Sequence, residues 1–157
     1  IASRFTQDRD RATLLLGYNN KSNPLQVVLE AAGSGSLQEA ATRLRDNDIQ
    51  YCLIRVHLDT PDSGKTPSQS NQDIVVIWVG KNVSDIEKSQ KGAHFRGISF
   101  LLRPHRFTVI VSDRQILNES NLSVISRAPP TDPDEPVVLA HGLRNGIVDS
   151  AWKQDLS

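Results

Sequence analysis

The chain has 157 residues, enough for one domain with a substantial core. Eighteen basic residues balance eighteen acidic ones, so the formal net charge is zero, which argues against a general nucleic-acid binder with a strongly basic face. A single cysteine excludes an intramolecular disulfide and fits a reducing compartment, and no run of ~20 apolar residues is present to span a membrane.

Residues 1–11 are polar and charged. Thr13–Tyr18 (TLLLGY) reads as a strand, Asn19–Pro24 as a turn, and Leu25–Ala31 as the returning strand of a hairpin. Gly33-Ser34-Gly35 breaks that strand. Ser36-Leu37-Gln38-Glu39 then has the form of a capping box, opening a helix with Leu37, Ala40, Ala41 and Leu44 on one face. Ile49–Leu58 is apolar almost without alternation, as expected of a central strand covered on both faces, and Cys52 within it is expected to be packing rather than a nucleophile. Asp59–Asn71 is rich in Pro, Ser and Gly and predicts an exposed loop.

Ile74–Val79 predicts a second buried strand, and Gly80–Val83 a turn. Ser84-Asp85-Ile86-Glu87 repeats the capping-box pattern for a helix of about 18 residues, ended by Pro104. Phe107–Val111 is a further strand, and Ser112-Asp113-Arg114-Gln115 a third box opening a last helix. The sequons at Asn82, Asn118 and Asn121 read as chance matches at helix caps and turns. From Ala128 the composition changes, so residues 1–127 are expected to form the domain and 128–157 a Pro-rich linker and C-terminal tail. The expected fold is an α/β sandwich: a mixed sheet of about five strands in three layers, with helices on both faces and a partly antiparallel start.

Three features invite a functional reading. At about 100° per residue, Ile86, Ala93, Gly97 and Leu101 of the long helix share an arc expected to face the sheet. Lys88, Lys91, Phe95 and Ser99 then lie opposite, flanked by Arg96 and extended down the same side by Ile98 and Leu102, as an apolar anchor ringed by charge. Either the C-terminal segment or a protein partner would cover that strip. Gly33-Ser34-Gly35-Ser36 could cradle a phosphate, but the third glycine of the dinucleotide pattern is replaced by Gln38 and no P-loop lysine follows. His57, His94, His105 and His141 show no ligand spacing, and no nucleophile elbow appears, so neither a metal, a cofactor nor catalysis is expected.

The turn WVGKNVSD (Trp78–Asp85), the ending VIVSDRQIL (Val109–Leu117) and the Gly33–Glu39 element resemble the coactosin and drebrin branch of the actin-depolymerising-factor homology family, relatives of cofilin. The resemblance covers about residues 13–125. It implies the cofilin/gelsolin-like fold and a cytoplasmic, cytoskeletal, non-enzymatic module that binds actin, the filament side rather than the monomer. Carried over by position, the long-helix contact falls on Lys88, Lys91, Phe95 and Arg96, the basic-loop contact on Lys65 and Lys81, and the last helix contributes Arg114. The alternative is a module that has lost actin and serves as a protein-interaction or scaffold domain in a larger assembly. The chain departs from the family in lacking an obvious helix before the first strand. It also carries Gln72-Asp73 where coactosin has a lysine, and Gly92 and Gly97 inside the long helix, each costing up to ~1 kcal/mol relative to Ala. Val137–Trp152 is expected to fold back over the sheet face left bare by the missing helix.

Overall fold

Continuous apolar runs drive the architecture: successive side chains of a strand point to opposite faces of its sheet, so such runs feed a core on each face. The computed structural model describes residues 13–19, 26–33, 37–60 and 68–139. Six strands form one mixed sheet in the order β2-β1-β3-β4-β5-β6. They are β1 Thr13–Asn19, β2 Gln26–Gly33, β3 Ile49–Thr60, β4 Ser68–Val79, β5 Thr108–Val111 and β6 Pro136–Val138. The first four pair antiparallel, while β5 runs parallel to β4 and β6 parallel to β5.

Among the described residues four helices cover the sheet: α1 Leu37–Ala41, α2 Asp85–Gly92, α3 Phe95–Leu101 and α4 Glu119–Arg127. Leu15, Cys52, Ile54, Val76, Trp78 and Val109 face α1 and α4, where Leu37, Leu44, Leu122 and Ile125 complete one core. The alternate residues Leu14, Leu16, Tyr51, Leu53, Val75 and Ile77 face α2 and α3, meeting Phe95, Ile98 and Leu102 in a second core. The three-layer expectation holds, with six strands in place of about five.

Several local expectations change. The β3–β4 hairpin continues to the Thr60↔Ser68 pair, so residues 59–60 and 68–71 of the polar run are strand, and residues 61–67 lie between the strands, outside the described residues. Ladder hydrogen bonds extend it where side-chain composition suggested a loop. The box at Ser112 does not start the last helix. Asp113 instead accepts from the Gln115 backbone N–H at 2.8 Å in a local turn, and Asn118 caps α4 by accepting from Asn121 N at 2.9 Å. The long helix is two: α2 opens on Ser84, whose Oγ accepts from Glu87 N at 3.2 Å, and it breaks after Gly92 before α3 begins at Phe95. Residues 136–138, expected in the tail, form the edge strand β6, with Leu139 N donating to Ile110 O at 2.8 Å. That part of the tail extends the sheet edge instead of covering a face. Residues 140–157, including Trp152, lie outside the described residues, as does most of the Gly33–Ser36 turn.

Gly80 sits where β4 passes the end of the α1 region. A Cβ there would collide with the backbone carbonyls of Asp46 and Arg45, and the close approach lets Gly80 N donate to Asp48 O at 3.0 Å.

Candidate functional site

The helix pair α2–α3 packs on the arc opposite to the one expected. Phe95 is 2% exposed and meets the Tyr51 ring edge-on at a centroid distance of 6.0 Å. Ile98, Ser99 and Leu102 continue the same buried line. Lys91, expected on the outer face, is buried as well. Its Nζ donates to Glu87 Oε1 at 2.7 Å, one turn back, and lies 4.4 Å from the centre of the Tyr18 ring. The Tyr18 hydroxyl in turn contacts Tyr51 at 2.5 Å and His94 Nδ1 at 3.1 Å. Burial raises the pKa of both phenols. This cluster fastens β1 and β3 to the α2–α3 junction, so Lys91 and Phe95 hold the monomer together.

The arc expected to face the sheet is the outer one. Ile86 is 72% exposed, Leu101 62% and Phe100 58%, and Ala93 and Gly97 between them are exposed too. A Cβ on Gly97 would meet nothing within 4 Å. The result is an apolar ridge along the outside of α2 and α3, flat at Ala93 and Gly97 and raised at Ile86, Phe100 and Leu101. Large apolar side chains aligned on a soluble surface mark contact sites more often than isolated ones do.

The remaining expected residues scatter. Lys88 is half-buried, its Nζ 3.8 Å from Asp85. Lys81, 70% exposed, stands 3.8 Å from Asp46 at the β4–α2 turn. Arg96 is exposed beside the ridge but paired with Asp132 and Glu135. Arg114 is turned inward: it donates to Asp46 Oδ1 at 2.7 Å and to the carbonyls of Ala41 and Leu44, with its guanidinium 4.9 Å from the Trp78 ring. It thereby satisfies carbonyls left open at the end of α1. Lys65 lies outside the described residues. Gln72 faces inward and accepts from Ser126 Oγ at 3.1 Å, and Asp73 pairs with Arg55 at 3.0 Å.

Chemistry of other kinds finds little support. Among the described residues no group of three or more His, Cys, Asp and Glu could hold a metal, and no helix is long and apolar enough to cross a membrane. Burial pushes the Cys52 thiol up to about 12, too high for a nucleophile near neutral pH. A cavity of about 180 Å³ lies between β1, β2 and α1, lined by Leu15, Ala31, Ala40, Glu39 and Arg43 among others. It is smaller than the roughly 300 Å³ at which ligand pockets begin. Sequence reasoning missed the outer ridge and a polar cluster of Ser99, Arg103, His105, Thr108 and Asp134. The spacing Ile86, Ala93, Gly97, Leu101 was the available signal for the ridge, and it was assigned to the wrong side.

Comparison with known proteins follows the fold. Coactosin from Entamoeba histolytica superposes with a TM-score of 0.60 at 16% identity, covering 78% of this chain and 85% of that one. A human coactosin-like protein gives 0.57 at 18% identity, over 78% and 87% of the two chains. The cofilin homology domain of a yeast actin-binding protein gives 0.59 at 20% identity, over 78% and 88%. Comparison with curated protein sequences returns no match. At such identities the superpositions establish the fold alone. The family model for cofilin/tropomyosin-type actin-binding proteins, however, matches residues 2–123, most of the chain. The protein therefore belongs to the cofilin/tropomyosin-type actin-binding family.

Proposed function

We propose that this domain binds the side of an actin filament, without catalysis, through the outer ridge of α2–α3. The observation that carries this reading is the alignment of Ile86, Phe100 and Leu101, each more than half exposed, on the long helical element of a chain in this family. Phe100 and Leu101 supply the buried contact, and the flat stretch at Ala93 and Gly97 lets a partner backbone approach. Lys88 and Lys81 steer an acidic partner from the N-terminal side of the ridge. Lys91, Phe95 and Arg114 act inside the monomer and support the ridge rather than touching the partner. Lys65 belongs to the basic-loop contact carried over by position. The protein on this reading works in the cytoplasm, on the cytoskeleton.

A second reading, a scaffold domain that engages another protein through the same ridge, is favoured by one observation: Arg96, the cation beside Phe100, already has two internal carboxylate partners. Filament co-sedimentation separates the two. Wild-type protein is expected to pellet with filaments, and the Phe100→Asp/Leu101→Asp double variant to remain in the supernatant. A folded wild type that stays soluble at micromolar filament concentrations would leave the scaffold reading.

A further inference from the structure

The segment 131–135, linker by composition, lies against α3. Its three carboxylates meet Arg96 of that helix and Arg103 just past its C-terminal end. Arg96 donates to Asp132 and, at 3.2 Å, to Glu135. Arg103 stands 2.5 Å from Asp134 and 3.7 Å from Asp132. Both guanidinium groups on this flank of α3, which sequence marks as cationic, are thus already engaged by carboxylates of the same chain.

The strap has two parts with different duties. Its inner part is fixed by buried groups. Asp134, 2% exposed, accepts from Ser99 Oγ at 3.0 Å, and Pro133 O accepts from Thr108 Oγ1 at 2.7 Å and lies 3.0 Å from His105 Nε2. Asp132 accepts from the Asp134 backbone N–H at 3.0 Å, which shapes the turn. The outer part is the pair of side chains on Arg96: Asp132, 36% exposed, and Glu135, 47% exposed. Because Asp134, Pro133 and the β6 ladder anchor the chain, the outer charges are not needed to keep the strap in place.

Arg96 also lies at the border of the ridge. On α3 it is one turn from Phe100 (i+4), and Arg103, past the end of the helix, sits 4.8 Å from the centre of the Phe100 ring. A partner seated on Phe100 therefore reaches Arg96 next.

We propose that Asp132 and Glu135 are an internal acidic competitor for Arg96: they hold it in a closed, paired state, and an acidic partner surface engages it only by displacing them. The proposal rests on the reading of the ridge as the partner-facing surface and concerns how that surface is regulated. Exposed ion pairs are individually weak, so displacement by a partner's carboxylates is accessible, and neutralising the competitor should strengthen binding about three- to tenfold. Any process that shields or neutralises residues 132 and 135 would open the site.

The test compares the full chain, the D132N/E135Q variant and the same variant carrying R96Q, after circular dichroism has shown all three folded. Binding to poly-L-glutamate, a generic acidic probe, is measured at low salt, and filament co-sedimentation at low and moderate salt. The expected result is a several-fold gain for D132N/E135Q on polyglutamate, abolished by R96Q, with a parallel gain on filaments that fades with salt. No gain on polyglutamate, or a gain that R96Q leaves half intact, overturns the competitor. A polyglutamate gain that requires Arg96, with no filament binding by any of the three proteins, supports the competitor while removing actin as the partner. Filament binding by the wild type with no gain in D132N/E135Q overturns it at the ridge.

Discussion

The two sides of the α2–α3 pair share one stretch of sequence and have opposite fates. On the inner side Phe95, Ile98 and Leu102 fill the space above Tyr51 and Leu53, and a lysine is tolerated because Glu87 and the Tyr18 ring receive its charge. On the outer side Ile86, Phe100 and Leu101 stay more than half exposed, with the Arg103 guanidinium lying against the Phe100 ring. Both arcs contain apolar residues, and the arc holding the lysine is the buried one. Hydrophobicity alone therefore does not orient such a helix. The shape of the sheet beneath it does.

That contrast can be broken from either side. The largest effect is expected from Phe95→Ala, which should cost about 3–5 kcal/mol by emptying a packed aromatic site. Phe100→Ala should change stability by under ~0.5 kcal/mol. Urea denaturation of the two variants checks this, and equal losses would erase the distinction between the arcs. Next comes the Phe100→Asp/Leu101→Asp variant, with near-wild-type stability but filament affinity lower by about 30-fold or more, since two anchor side chains are replaced by charges facing an acidic surface. Co-sedimentation over a filament titration measures it.

A smaller effect concerns acid. Burial lowers the pKa of His105, against the opposing pull of Pro133 O, Asp134 and the Leu102 backbone. Asp134, Arg103, Ser99 and Thr108 surround it. The unfolded chain takes up this proton first, near pH ~6.5, so stability from neutral His105 is full above that pH and declines as pH falls below it. Thermal melts between pH 7.5 and 5 should show a drop that His105→Gln flattens. An identical slope in the variant would remove His105 from the account. The smallest effect is a gain: Gly97→Ala should stabilise by about 0.5–1 kcal/mol, because the added methyl enters open space and helix propensity rises. Weaker filament binding in that variant would sharpen the ridge to a surface that needs a bare backbone at residue 97.

Much of the architecture was legible in the chain. The apolar runs at Ile49–Leu58 and Ile74–Val79 are buried strands, the Thr13–Ala31 hairpin pairs antiparallel, and Ser84 caps its helix as its spacing implies. The family resemblance, carried by Trp78–Asp85 and Val109–Leu117, agrees with the family match over residues 2–123. The candidate site was less legible. Lys91 and Arg114 look like surface cations in sequence, yet each is consumed by partners far along the chain or one turn away, and Asp132–Glu135 look like linker while closing over Arg96.

What the sequence by itself determined is the set of elements and the family, because periodicity, caps and turn residues act within a few positions of one another. Which arc of the long helix is buried, which cations are already paired and that residues 136–138 add a strand were decided only in three dimensions. Those outcomes depend on contacts between residues far apart in the chain, such as Tyr18 with His94, 76 positions on, and Arg114 with Asp46, 68 positions back. Charge and hydrophobicity read along the chain do not say which groups will meet, and a charged group's free energy depends on its neighbours more than on its identity.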